Sequence, residues 1–191
     1  MIFETISIRR GVVENISYHN KRLNTTQKEL FGVDRDIDLS SYIDIPKDSI
    51  HYRCRVLYDE EIRSIEYIPY QPRVIEKILL VDSDIEYKYK YQDRDEIERL
   101  LTRLGNCDDL IIVRDGLLTD TSIANIAFLE NDRWYTPSSP LLKGTTRARL
   151  IDEGVLYPKD ICREDICRFD NFAIMNAMVG FRLMGLSTIM H

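Results

Sequence analysis

The sequence predicts an α+β protein, and three observations predict it. Short stretches that alternate apolar and polar residues, such as IFETISI (2–8), and short buried runs such as KILLVD (77–82) outnumber the helical patterns. The few helices fall among them without the strand–helix–strand regularity of a doubly wound sheet. No GxGxxG occurs, so a dinucleotide-binding Rossmann site has no support.

Along the chain, IFETISI is a half-buried strand, Arg9-Arg10-Gly11 a turn, and VVENISY (12–18) the returning hairpin partner. HNKRLNTTQKELFG (19–32) reads as a helix, with Leu23, Leu30 and Phe31 on one side and Gly32 as its stop. The acidic stretch 33–48 reads as a loop. HYRCRVLYD (51–59) and IRSIEYIPY (62–70) are two strands joined by the Asp59-Glu60-Glu61 turn. Pro69 and Pro72 then break the pattern, which divides the chain into an N-terminal lobe, 1–72, and a second lobe, 73–191.

In the second lobe KILLVD is a strand. Asp93 is placed to cap a helix, RDEIERLLTRLG (94–105), whose Ile97, Leu100, Leu101 and Leu104 form one apolar face. DLIIVRDG (109–116) is a buried strand. A polar TDTS turn holding Asp120 leads into the strand IANIAF (123–128), then WYTP (134–137), then a glycine-led helix at 145–153. An amphipathic segment, 160–170, precedes a final strand pair, NFAIMNAM (171–178) and FRLMGL (181–186).

Composition narrows the function classes. The 191 residues are 44% apolar and 30% charged, ordinary for a folded soluble domain. A net charge of −6 argues against nucleic acid as the main partner, since that binding needs a basic face. Met1 leads straight into a strand-like segment with no secretory signal, and no apolar run approaches the roughly 20 residues that span a bilayer. The four cysteines form no CxxC pair and only three histidines accompany them, so free thiols in a cytoplasmic protein are expected, and no metal site.

Four constellations can carry chemistry. In YKYKYQDR (87–94), strand alternation would put Lys88 and Lys90 on one face, opposite the tyrosines, with Arg94 four residues after Lys90. A desolvated lysine can form a Schiff base, although spacing alone favours a solvated strand edge. Asp120 on local grounds is a turn cap. In LLKGTTR (141–147), Gly144 permits a tight turn, and Thr145 and Thr146 open a helix whose N–H groups suit a phosphate. In HNKR, His19 and Arg22 share a helix face, where Arg22 is a phosphate fork or a surface charge.

Taken in order, these segments resemble the class IV aminotransferase superfamily, the fold-type IV pyridoxal phosphate (PLP) enzymes. FET (3–5) with HNKR (19–22) is similar to its first strand and His-x-x-Arg helix. DTSIANIAF (120–128) with YTP (135–137) resembles its acid-x-x-x-x-Asn segment and following strand. LLKGTTR resembles its Leu-x-Gly-x-Thr-Arg loop, and FAIMNAM (172–178) its late strand. The resemblance implies a two-lobed D-amino-acid aminotransferase-like fold with PLP between the lobes, in a homodimer whose partner helps form the substrate pocket.

It also implies roles. Lys90 would be the Schiff-base lysine and general base, with Lys88 a neighbour, and Asp120 would face the pyridine nitrogen. Leu142 would pack on the ring, and Arg22, Thr145, Thr146, Asn176 and Ala177 would hold the phosphate. His19 would support Arg22, while Arg94 and Phe3 would be substrate-side residues. Three features depart from the pattern: an aspartate replaces the usual glutamate, the N-terminal lobe is abbreviated, and the substrate hairpin loop shrinks to Asp59-Glu60-Glu61. Phe3 replaces a tyrosine of D-amino-acid transaminases, and no Arg-x-His trap occurs. Arg94 and the HNKR, IAN and MNAM segments are more similar to the aminodeoxychorismate lyase group. A lyase that releases 4-aminobenzoate and pyruvate on the folate route is therefore expected. A small-substrate aminotransferase is the alternative, and a non-catalytic PLP-fold binding protein a third reading.

Overall fold

The computed structural model describes residues 1–190 and divides into two compact units. The first comprises Met1–Pro72 and Tyr89–Asp93, and the second Arg73–Lys88 and, among the described residues, 94–190. The chain is α+β, with two sheets and few helices. Residues 89–93, assigned above to the second lobe, pack with the first unit: Phe3 N–H donates to Lys90 O at 3.0 Å, and Tyr91 bridges to Ile2.

In the first unit, β1 (Ile2–Arg9), β2 (Val12–Val13), β3 (Tyr52–Tyr58) and β4 (Ile62–Pro69) form an antiparallel sheet in the order β2-β1-β3-β4. Alternation decides its two faces. Ile2, Ile6 and Ile8 lie opposite Tyr58, Cys54 and Tyr52, and this face packs with Leu23 of α1 (Ile16–Phe31) in one core. Phe3, Thr5, Arg55 and Leu57 fall on the other face.

The expected return strand 12–18 stops after two residues. Asn15 adopts a left-handed conformation (φ 54°, ψ 33°), which asparagine tolerates, and the helix begins at Ile16 rather than His19. At its other end Gly32 (φ 69°) donates its N–H to Gln27 O, closing the helix as its sequence signal implied. The loop 33–48 holds one short 3-10 turn, Leu39–Ser41, and sends Ile37, Leu39 and Ile43 into the core.

The second unit holds β5 (Ile78–Asp82), α2 (Asp95–Leu101), β6 (Asp109–Arg114), β7 (Leu117–Thr121), β8 (Asn125–Glu130), β9 (Arg133–Pro137), α3 (Thr145–Asp152), β10 (Leu156–Lys159), β11 (Asn171–Asn176), β12 (Gly180–Leu183) and β13 (Ile189–Met190). Its sheet runs β10-β9-β8-β7-β6-β5-β13, with β11 pairing both β8 and β12. Ile126, Phe128, Phe172 and Ile174 form the centre of its core.

Three expectations need correction here. The N-cap of α2 is Arg94, not Asp93, and the helix is shorter than 94–105. Asp120 lies inside β7 rather than in a turn, because Leu117–Thr121 pairs with β6. YKYKY is not a strand: Tyr87 packs in a core cluster of the second unit, and Tyr89 and Tyr91 in that of the first. Strands β10 and β13 carried no legible signal, since both are short edge strands held by parallel pairing to β9 and β5.

Candidate functional site

In the second unit the polar cluster begins where β7 meets β8. Their single registered pair is Asp120 with Asn125, and Asn125 also lies opposite Met175 of β11. Asp120 is buried and both of its oxygens are engaged. Oδ1 accepts from Asn125 Nδ2 at 2.7 Å, and Oδ2 accepts from Leu142 N–H at 2.8 Å. Asn125 Nδ2 also donates to Leu142 O at 2.8 Å, closing a three-residue ring of contacts.

Two residues on from Leu142, Gly144 is the N-cap of α3, with an ordinary φ of −68°. Its requirement is space, not conformation: a Cβ there would collide with Asn125 Oδ1. Thr145 and Thr146 follow, both buried, in the first helical turn. That turn carries no acidic residue, so its N–H groups and the helix dipole are directed at whatever anion approaches.

Burial pushes the Asp120 carboxyl up to about 6, opposed by the Leu142 N–H, Asn125 and the positive charge of Arg147. Arg147 is itself buried, which lowers its pKa while Asp120 raises it. Its Nη2 donates to Pro137 O at 2.8 Å and its Nε to Thr136 Oγ1 at 3.3 Å. The guanidinium therefore supports Asp120 through its field and pins the β9 end.

Arg94 is not a free substrate-facing cation. Its Nη2 donates to the carbonyl of Ser122, in the turn between β7 and β8, and its Nε is buried without a partner. Asp109 holds the same turn, accepting from Ser122 N–H at 3.3 Å. Asn176 also serves backbone, through Nδ2 to Ile123 O at 3.2 Å and through Oδ1 from Met178 and Val179 N–H at 2.9 and 3.0 Å. Its side chain shapes the turn that contains Ala177.

In the first unit, α1 and β1 build a buried hydrogen-bonded triad. Glu4 receives Arg22 in a fork, Nε to Oε1 at 2.8 Å and Nη2 to Oε2 at 2.5 Å, and its Oε2 lies 2.6 Å from His19 Nδ1. Burial alone would raise the Glu4 carboxyl, but Arg22 and His19 together hold it down at about 2. Burial lowers the His19 pKa, against the pull of Glu4. On the opposite sheet face Phe3 carries two cations: Lys90 Nζ at 4.7 Å and Arg55 Cζ at 4.9 Å from the ring centroid.

Known proteins resemble this chain over nearly its whole length. The family model "Amino-transferase class IV" matches residues 90–183, beginning at Lys90. An uncharacterized protein of Haemophilus influenzae is 38% identical over 184 residues, covering 94% of this chain and 98% of that one. The crystal structure of a "putative 4-amino-4-deoxychorismate lyase" from Haemophilus somnus is 33% identical with a TM-score of 0.87, covering 94% of this chain and 96% of that one. This chain belongs to the class IV aminotransferase family. A hypothetical aminotransferase from Mycobacterium tuberculosis in its PLP-bound form shares the fold at 15% identity (TM-score 0.78, 96% of this chain and 79% of that one).

Class IV aminotransferases are PLP-dependent enzymes, and PLP is this chain's cofactor. The second-unit cluster fits the group. A buried carboxyl raised by desolvation is relieved by a cation such as a protonated pyridine nitrogen, and an uncapped helix start is suited to a phosphate. Among the described residues no cluster of His, Cys, Asp and Glu could hold a metal, and no helix is long and apolar enough to cross a membrane.

Sequence reasoning gave no role to Glu4, Asn125 or Arg147 in this class IV enzyme. Each lay inside a quoted segment, FET, DTSIANIAF and LLKGTTR. A charged or amide residue amid buried positions was the signal available.

Proposed function

We propose that this class IV enzyme is a 4-amino-4-deoxychorismate lyase, forming 4-aminobenzoate and pyruvate. The observation that carries the choice of reaction is the near full-length similarity to the Haemophilus somnus protein of that description. The short β3–β4 connection, Asp59–Glu61, agrees with an enzyme whose substrate loop is reduced.

Asp120 would hold the cofactor's ring nitrogen, with Leu142 against the ring. The first turn of α3, Thr145 and Thr146, would hold the phosphate, joined by the backbone of the Asn176–Ala177 turn and by Arg22. Bound PLP supplies an electron sink for a carbon that loses a proton. Lys90 Nζ would take the proton from the amine-bearing carbon. The bond to the enolpyruvyl oxygen would then break, the ring would become aromatic, and the released enolate would take a proton at its methylene carbon to give pyruvate. Phe3, with its ring beneath Lys90 Nζ, keeps one wall of that position apolar. The same reading includes a homodimer, and a reducing cytoplasm that suits four free cysteines.

The test is to supply aminodeoxychorismate to the PLP-loaded protein and follow 4-aminobenzoate fluorescence, with Lys90→Ala as control. Product formation abolished by Lys90→Ala is expected. Turnover only with amino donors and 2-oxoglutarate would make the enzyme an aminotransferase. A protein that takes up no PLP would reduce the fold to a binding module.

A further inference from the structure

We infer that Arg94, Asp109 and Ser122 bind one internal water molecule, and that this hydrated pair of charges positions the strand end bearing Asp120. The turn 122–124 joins β7 to β8, between Asp120 and Asn125. Each of its backbone N–H and C=O groups is engaged. Thr121 Oγ1 accepts from Ile123 and Ala124 N–H at 3.2 and 3.0 Å, and Thr121 N–H donates to Ala124 O at 2.8 Å. Asn176 Nδ2 takes Ile123 O. Ser122 is held by charged groups instead: Arg94 Nη2 donates to its carbonyl, and Asp109 Oδ1 accepts its N–H at 3.3 Å.

Those charges bring three orphaned atoms to the same residue. Arg94 Nε, Asp109 Oδ2 and Ser122 Oγ are buried without a hydrogen-bond partner. Nε adjoins Nη2 on one guanidinium plane, Oδ2 adjoins Oδ1 on one carboxyl, and Oγ belongs to Ser122 itself. Nearby polar side chains are committed elsewhere, Thr121 and Asn176 to the turn and Asp109 Oδ1 to Leu110 and Ser122 N–H. The three atoms comprise a donor, an acceptor and a hydroxyl that acts as either, and a buried water takes two to four such partners. Asp109 repels an anion there and Arg94 a cation, so the ligand is neutral. An internal water is part of the fold and needs no open path from the surface.

The water makes the two charges one unit closed around the Ser122 peptide. Without it each would sit in the interior with an unanswered atom, which is costly. Asp109, wholly buried at the start of β6, is thereby a positioning residue that acts on Asp120 through the turn. The water site is independent of the reaction, whereas its bearing on the cofactor rests on Asp120 facing the ring nitrogen.

A high-resolution crystal structure of the PLP-loaded enzyme should show one ordered water within hydrogen-bond distance of all three atoms. Direct pairing of Arg94 Nε with Asp109 Oδ2, or no water shared by the three, would overturn the inference. Two variants read the positioning. Asp109→Asn keeps the side chain's shape and an acceptor for Ser122 N–H, and should raise the PLP dissociation constant about tenfold and shift the cofactor absorption band. Ser122→Ala removes one partner of the water and none of the turn's backbone bonds, and should shift both readouts in the same direction by less. A lowered unfolding midpoint in both variants, with PLP affinity and band unmoved, would make Asp109 merely structural and overturn the positioning. Should Asp120→Asn also leave both readouts unmoved, Asp120's place at the ring falls, and the water in the wild-type structure still decides the site.

Discussion

Asn125 Oδ1 stands where a side chain on residue 144 would begin. Strand β8 and the start of α3 are therefore in contact only because residue 144 has no Cβ. Through Asn125 this contact couples the acid on β7 to the loop ahead of the helix, since one amide reaches both Asp120 and Leu142 O. The spacing between the Asp120 carboxylate and the first turn of α3 is set by that approach.

Gly144→Ala should therefore destabilise the protein by about 1–3 kcal/mol, the usual cost of overpacking, and weaken PLP retention. Asn125→Ala should cost a similar amount, because it strips Asp120 and Leu142 O of a donor. In the Asn125→Ala background, Gly144→Ala should add almost nothing. Urea unfolding of the four proteins measures the coupling, and equal costs in both backgrounds would refute the contact.

Asp120 gives the cofactor-free protein a pH signature. Its folded carboxyl is raised from 3.8 to about 6, so its contribution to stability is full below pH 3.8 and is lost as pH rises through 6. The loss is about 3 kcal/mol for this fully buried group. Asp120→Asn should flatten that part of the stability–pH curve, and unfolding titrations between pH 4 and 7 would read it.

Glu4 acts in the opposite direction. Its carboxyl is depressed from 4.5 to about 2, so its contribution is full above pH 4.5 and disappears as pH falls toward 2, again about 3 kcal/mol. Glu4→Gln should remove this acid sensitivity. At pH 7 it should cost roughly 3–5 kcal/mol by leaving Arg22 and His19 beside a neutral group. An unfolding midpoint at pH 7 unchanged by the substitution would contradict the triad's role.

Arg94→Met should act on the turn and not on ligand selectivity. Removing a charged donor from Ser122 O should cost about 2 kcal/mol and loosen the strand end that carries Asp120. The KM for aminodeoxychorismate in the lyase assay should stay near the wild-type value. A KM raised about tenfold or more would return Arg94 to the substrate side.

Cys54 is buried with its thiol pushed up to about 12, whereas Cys167 is exposed. Alkylation of the native protein followed by mass spectrometry should label Cys167 readily and Cys54 only after unfolding.

Much of this was legible in one dimension. Strand alternation located β1, β3 and β4, the glycine at 32 closed α1, and LLKGTTR marked the start of α3, because these signals depend on neighbours a few residues apart. The order of FET, HNKR, DTSIANIAF and LLKGTTR was enough to indicate the family and its cofactor. The missed features depend on contacts between distant segments. Asp120 read as a turn residue because its strand exists only through pairing with β6, and β10 and β13 exist only through parallel partners.

The sequence by itself determined the fold class, the family and its cofactor. Only the tertiary structure decided what each charged side chain does there. It tied Arg94 to a backbone carbonyl, locked Arg22 into Glu4, spent Asn176 on its own turn, and left Arg55 Nε buried and unpaired beside Phe3. The reason is physical. A motif's type and spacing are local properties, whereas a charge's role depends on which partners and how much water the folded chain leaves around it.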